Sequence, residues 1–442
     1  MNKTEILQIL QDWNFWTKDL ETGFPRGEYL SRVNQLLGTN QVLTVTGPRR
    51  AGKSFMMRQV AKELIRSNTP KANILIVNFE DPRFTDMNVK LLQEIYESYL
   101  EFLGPRGQVF LFLDEVQEVK GWEKWVRYLH ELKKAKIFVS GSNANLLSRE
   151  LGTLLTGRHL DLTVFPLSFK EFLEFNQIQW ADRLGFLEKR IEIGRLFRNY
   201  LESGTFPEVV LSEQKKEILL NYFEDLLSKD LFRRFKIRKQ ERLKALVKFY
   251  LSNISSLTTF NSMEKFLEIS RDTIEKFSNY LEQVYLIFFL KRFSFKVREQ
   301  EKNPRKVYAI DTGLSNAIGF RFSENIGKLA ENLVFLELKR RQASHPELEL
   351  FYWKDIHHRE VDFVIKEGSG IQELIQVCWN TQEAKTKDRE IKSLVKAMNE
   401  LDQNEALVLT ENYEGEEKFK RKKIKFTPLQ KWLLAAAPAH SI

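Results

Sequence analysis

The chain has 442 residues, 43% of them apolar and 29% charged. That is enough apolar residue for packed cores, which excludes a disordered polymer and allows two or three domains. Net charge is +9, and the segment 229–306 alone carries 19 Lys/Arg against 9 Asp/Glu; a surplus gathered in one segment is either a solvated face or the footprint of an anionic partner, duplex DNA first. A single cysteine, Cys378, excludes an intramolecular disulfide and suits a reducing cytoplasm. The opening MNKTEILQILQDWNFW has no apolar core of a signal peptide, and no apolar run nears the ~20 residues of a membrane helix, so no membrane partner is expected.

In chain order, residues 1–40 predict a helix, a turn at Gly23, Pro25 and Gly27, and a second short helix. Trp13 and Trp16 on the first helix read as packing anchors. Strands are predicted at 42–46, 73–79, 109–113, 137–140 and 161–165, alternating with helices at 54–65, 89–103 and 122–133. Bare apolar strands alternating with helices predict a parallel sheet covered on both faces. Residues 169–251 are helical in pattern, broken at Gly204 and Pro207. A helix at 262–269, a turn, a helix at 272–284 and two strands at 286–297 and 306–310 form the pattern of a winged helix. A long helix at 329–341 and strands at 350–353, 361–366 and 374–378 predict a last α/β unit.

The run 47–54, GPRRAGKS, fits G-x-x-x-x-G-K-[ST] between a strand and a helix. Its spacing lets backbone N–H groups from Gly47, Arg49, Arg50, Ala51 and Gly52 curl around a β-phosphate, with Pro48 inside the loop and Phe55 just beyond it, while the helix turns its positive end to the same charge. Lys53 is placed to bridge β- and γ-phosphates, and the Ser54 hydroxyl to ligate Mg²⁺. Five apolar residues then lead into Asp114 and Glu115; Asp114 is the second expected Mg²⁺ residue and Glu115 the base that polarises the attacking water. ATP and Mg²⁺ are therefore the expected cofactors. Ser140, Ser142 and Asn143 follow the next strand, where each is either a γ-phosphate contact or a cap of the next helix. Arg158 precedes the fifth strand, where an arginine either stabilises charge on the γ-phosphate, in cis or from a neighbouring subunit, or is an ordinary surface residue.

On the predicted winged helix, Arg271, Lys276 and Asn279 would face DNA, and Lys296, Arg298, Lys302, Arg305 and Lys306 would form a wing against phosphates. Asp272, Glu275 and Glu282 offset the first group, which leaves protein docking as the other use of this surface. His357 and His358 are adjacent and read as hairpin residues, not as ligands; the run 418–425 reads as a basic turn and strand start.

The runs GPRRAGKS (47–54), NFEDPRF (78–84), LDEVQEV (113–119), SGSNANLL (140–147) and LLTGRHLDLTVFPLSFKEF (154–172) resemble a prokaryotic group of AAA+ ATPases in the archaeal-type branch, related to signalling NTPases. KVYAIDTGL (306–314), LAENLVFLEL (329–338) and REVDFVI (359–365) resemble the domain of unassigned role that follows such ATPases, which has a nuclease-like fold. The resemblance implies that Arg158 serves catalysis as an arginine finger and that Gly204 and Pro207 lie on the adenine side; Asn143 is a catalytic candidate from its place after the fourth strand, where it would sense the γ-phosphate or position water. It implies a metal-binding pair at Glu331 and Asp362, but the acid and lysine expected on the next strand are Gln376 and Cys378, with only Lys366 nearby, so cleavage activity is not expected. The expected architecture is α/β: an AAA+ type P-loop NTPase sheet over 1–168, a helical lid over 169–251, a winged helix over 252–326, and an inactive nuclease-like α/β domain over 327–442. The expected partners are duplex DNA, a second copy of the chain, or a docking protein.

Overall fold

The five apolar runs of the first third become strands β1 (Val42–Thr46), β2 (Ile74–Asn78), β3 (Phe110–Asp114), β4 (Lys136–Gly141) and β5 (His159–Thr163). The computed structural model describes residues 1–142, 157–178, 188–320 and 325–435. The five strands form one sheet in the order β2-β3-β4-β1-β5, all parallel.

Alternation along each strand sorts side chains to two faces. Leu111, Leu113, Ile137 and Val139 pack with the helices Lys3–Trp13, Val89–Leu103 and Trp122–Glu131. Phe112, Phe138, Leu43 and Val45 point the other way and pack with the helices Gly27–Leu37 and Lys53–Arg66. With both faces covered, the strands are apolar at nearly every position, which is why no alternation shows in the sequence. Trp13 donates to Asp81 Oδ2 at 2.8 Å and Trp16 to the Ile74 carbonyl at 2.8 Å, so both anchor the first helix to the sheet side. The Arg83 guanidinium beside Asp81 holds that carboxyl down at about 2.

The chain divides into two units, Met1–Val164 and Phe165–Ile442. The second begins with helices, including Phe169–Phe175, Arg190–Ser203, Pro207–Leu211, Lys215–Asp225 and Gln240–Ser252. Then come β6 (Ser256–Thr258), helices Phe260–Leu267 and Arg271–Gln283, β7 (Ile287–Arg292), a short helix Val297–Lys302, and β8 (Arg305–Ala309). β8 pairs antiparallel with both β6 and β7. The predicted strand 286–297 stops at Arg292, because the charged run VREQEK coils into a helix whose backbone bond from Glu299 N to Lys296 O measures 2.9 Å.

After the helix Ile326–Ser344 follow β9 (Leu348–Lys354), β10 (Glu360–Glu367), β11 (Gly370–Val377), a helix Ala384–Glu400, β12 (Glu405–Thr410), β13 (Gly415–Phe419), β14 (Lys422–Pro428) and a helix Leu429–Ala435. β7 pairs in parallel with β9, through Lys291↔Phe351 and Arg292↔Tyr352. That one pairing joins everything from β6 to β14 into a nine-stranded sheet, so the two segments expected to meet at 326/327 share one sheet.

Gly204 shows why a helix breaks where it does. Its φ is +97°, and a Cβ there would lie 2.8 Å from Asp311 Oδ1. The buried Asp311 carboxylate accepts from Thr205 N at 2.6 Å, Thr205 Oγ1 at 2.8 Å and Leu314 N at 2.7 Å, capping the helix Thr312–Ile318 and fixing the break in one stroke.

Candidate nucleotide site

β3, β4 and β1 are consecutive neighbours, so their C-terminal ends bring three loops together, the position where open α/β sheets hold ligands. Thr46 leads into Gly47, whose φ is +139° and whose Cβ would meet the Val164 carbonyl oxygen at 2.1 Å; only glycine fits this close pass. Ala51 is fully buried and Gly52, at φ +96°, opens the helix Lys53–Arg66. The loop between them, Pro48 to Ala51, thus sits at a helix N-terminus, a natural anion site.

The side chains expected to act there do meet. Lys53 is 4% exposed; its ammonium donates to the Pro48 carbonyl at 3.2 Å and lies 3.7 Å from Glu115 Oε1. The Ser54 hydroxyl lies beside Asp114 and favours its charged form. Burial first, and then the neighbouring Glu115 charge, push the Asp114 carboxyl above the usual carboxylate range. A hydroxyl and a carboxylate placed face to face are hard oxygen donors that suit Mg²⁺. Ser140 is a strut between the two acids: its hydroxyl donates to Asp114 Oδ1 and accepts from Glu115 N at 3.1 Å. Ser142 is buried, and Asn143 lies outside the described residues. Arg49 pairs with Glu80 at 3.0 Å, Arg50 takes a left-handed backbone at φ 68°, and Phe55 is 39% exposed at the loop rim.

Two contacts here escaped the sequence reading. Arg26, from the segment before the helix Gly27–Leu37, is buried and donates to the Ala51 carbonyl at 3.1 Å, while Gln59 fastens the same segment through the Thr22 and Phe24 carbonyls at 2.8 and 2.7 Å. Gln117 donates to Glu115 Oε2. Arg26 is 25 residues from its partner and nothing local marks it; Gln117 stands two residues after the base and was open to notice.

Arg158 lies elsewhere. Its carbonyl accepts from Val42 N at 3.0 Å, and β5 runs parallel to β1 from Val42↔His159 onward. It therefore stands at the N-terminal end of the strands, about 13–16 Å from the loop after Thr46 at 3.3 Å per residue. Of the two expected roles, the one in cis does not suit this position, because an arginine side chain is shorter than that distance. Its guanidinium is half exposed and paired with Glu131 at 2.7 Å.

In the second unit, Lys306 also needs correction. It is not on an exposed wing but 1% exposed, because β8 is buried on both faces. Its ammonium sits 2.9 Å from Glu331 Oε1, 2.7 Å from Glu360 Oε1 and 2.8 Å from Asp362 Oδ1. Burial alone would lower its pKa, but the Asp362, Glu331 and Glu360 charges outweigh that and raise it well above the ordinary lysine value. Tyr308, two residues on and so on the same strand face, donates to Glu331 at 2.7 Å. Glu331 and Asp362 do meet, with a lysine between them. Gln376 accepts from Asp362 N at 3.1 Å, Cys378 is buried, and Lys366 is turned away onto Glu349. Among the described residues no group of three His, Cys, Asp or Glu is placed to hold a metal ion, His357 and His358 included. Of the remaining residues expected to face DNA, Arg271, Lys276, Asn279, Lys296, Arg298 and Lys302 are exposed, and Arg305 is half-buried against Glu301 at 3.2 Å.

The family model gives the class of the first unit. Residues 39–173 match the family model of an AAA domain. The first unit is thus a P-loop ATPase domain of the AAA type. Residues 194–325 match a domain of unknown function (DUF8612), and 326–432 another (DUF4143). The chain is similar to the uncharacterized protein MJ1544 of Methanocaldococcus jannaschii, with 36% identity over 409 residues, 89% of this chain and 88% of that one. An uncharacterized protein of Haemophilus influenzae is 30% identical over 370 residues, 81% of this chain and 88% of its own. The chain belongs to the family of these two proteins. Among solved structures, a Walker-type ATPase of Pyrococcus abyssi aligns with 67% of this chain and 96% of its own at 16% identity and a TM-score of 0.41. AMPPCP-bound DnaA from Aquifex aeolicus aligns with 58% of this chain and 86% of its own at 16% identity and a TM-score of 0.25. No helix among the described residues is long and apolar enough to cross a membrane.

Proposed function

We propose that the first unit binds ATP with Mg²⁺ and hydrolyses it, and that the chain uses this turnover on or with duplex DNA. The observation that carries the ATP reading is the meeting of Lys53, Ser54, Asp114 and Glu115 at one sheet edge beside a helix N-terminus. Ser54 and Asp114 would hold Mg²⁺, which when bound neutralises phosphate charge. Backbone N–H groups of the loop from Gly47 to Ser54 hold the β-phosphate, and Lys53 moves from Glu115 onto the β- and γ-phosphates. Glu115 takes the proton of a water whose oxygen bonds to the γ-phosphorus as the bond to the β–γ bridging oxygen breaks. Arg158 is proposed to serve a neighbouring copy of the chain, since its own loop is out of reach. Gly204 and Pro207 keep their proposed place on the adenine side only through the family resemblance.

For DNA, the support is the topology from the helix Gln240–Ser252 through β8, which we read as a winged helix, and the exposed Arg271, Lys276 and Asn279 with Lys296, Arg298 and Lys302 beside them. A second reading is favoured by Phe295 and Val297, 83% and 70% exposed at the tip of the same wing: a nucleotide-controlled switch that docks a protein. ATP turnover measured with and without duplex DNA separates them. The first reading expects DNA binding that weakens steeply between low and moderate salt, with turnover stimulated by the duplex. Absence of both removes DNA; a nucleotide-dependent change in size or protease pattern then supports the switch.

A further inference from the structure

Glu115 leaves β3 with φ 52° and ψ 44°, a left-handed backbone. That bend starts a single 3₁₀ turn, Val116–Glu118, closed by Glu118 N on the Glu115 carbonyl at 3.1 Å and by Val119 N on the Val116 carbonyl at 3.0 Å. Val116 and Val119 are both fully buried and pin the turn at its two ends. Between them Gln117 is carried back over its neighbour, and its Nε2 donates to Glu115 Oε2. The other carboxylate oxygen faces the Lys53 ammonium at 3.7 Å. The amide oxygen of Gln117 is buried and has no hydrogen-bond partner. A buried acceptor left open is costly, and it is tolerated where a ligand group or water completes it.

Lys53 and Gln117 have different fates. Phosphate oxygens compete for Lys53 and draw it off Oε1, because they carry more charge than one carboxylate. Gln117 is neutral and its backbone is fixed by two buried valines, so it stays. Nucleotide binding therefore draws Lys53 away from Oε1 while Gln117 stays on Oε2.

We propose that Gln117 is a positioning residue for the hydrolytic water: its Nε2 holds Glu115 Oε2 and so fixes the carboxylate toward the water, and its open amide oxygen accepts a hydrogen bond from that same water. The inference rests on Glu115 being the base. No new bond or proton is added to the hydrolysis described above; the water's proton still goes to Glu115.

The test uses the full chain with Mg²⁺ and ATP, reading the single-turnover rate and, with a fluorescent ATP analogue, the dissociation constant. Gln117→Met keeps the length and removes the amide; Gln117→Glu keeps the shape and removes the donor. Each is expected to slow the single turnover by about 10- to 100-fold, the cost of a misplaced reacting group, with affinity kept within about threefold of wild type, since neither touches the phosphates. In the Glu115→Gln background, Gln117→Met is expected to change the residual rate by less than about twofold, because a residue acting through Glu115 has nothing left to position. A wild-type rate in Gln117→Glu, a loss of affinity that matches the loss of rate, or the same fold-loss in both backgrounds would each overturn the proposal. Failure of the underlying reading looks different: Glu115→Gln alone would then turn over at the wild-type rate.

Discussion

Lys306→Met should lower folding stability by about 3–5 kcal/mol, the usual cost of removing one partner from a buried ion pair, and the deficit should grow with pH. The substitution keeps the stem and removes only the ammonium, leaving Glu331, Glu360 and Asp362 without the cation at 2.7–2.9 Å. In the wild type the folded-state pKa of Lys306 is raised, so its contribution is fully present below the unfolded lysine value near ~10.4 and is lost only as pH rises beyond it. Glu331 behaves oppositely to a surface acid. Burial, and then the Asp362 charge, push it up to about 8, so between its unfolded value of ~4.3 and that point the folded state binds more protons and stability falls as pH rises. Without the ammonium, this preference for the protonated acids strengthens. Urea unfolding of the variant at pH 5 and pH 8 should show the smaller deficit at pH 5. Equal deficits at both would mean that lost packing, not uncompensated charge, is the cause.

Lys53→Met is the second large effect. The ammonium is expected to make charge-assisted bonds to the phosphates, and hydrogen bonds to charged groups are worth about 1.5–3 kcal/mol, so ATP affinity should fall roughly 10- to 150-fold. Folding should suffer less than for Lys306, although both lysines are buried, because Glu115 keeps its hydrogen bond from Gln117. Calorimetric titration with ATP and an unfolding curve on the same sample check both halves. An unchanged affinity would remove Lys53 from the site.

How much of this was legible in the sequence depended on whether the information was local. The loop from Gly47 to Ser54 and the acids at Asp114 and Glu115 are contiguous, and their spacing carries their chemistry. The neighbour order β2-β3-β4-β1-β5, which makes those two stretches meet, is nowhere written locally. Arg158 shows the cost: preceding β5 puts it at the N-terminal end of that strand, and only the parallel pairing of β5 with β1 makes this the end away from the loop after Thr46. Lys306 shows a misread signal. It stood next to Pro304 and Arg305 in a charged segment and was taken for a wing, yet it alternates with Val307 and shares a face with Tyr308, the pattern of a strand interior. The three carboxylates that justify its burial come 25, 54 and 56 residues later, from another helix and strand. Glu331 and Asp362, expected from the resemblance as a metal-binding pair, instead share the Lys306 ammonium, supplied from within the chain.

The role of Glu115 as the base beside a phosphate-binding loop is tested most directly by Mg²⁺-dependent ATP turnover and ATP binding measured together for wild type and Glu115→Gln. Loss of the general base should slow turnover about 10²- to 10⁴-fold, while affinity stays the same or tightens, because Lys53 no longer has the Glu115 charge at 3.7 Å to leave behind. Turnover at the wild-type rate in Glu115→Gln, with binding intact, would contradict the assignment.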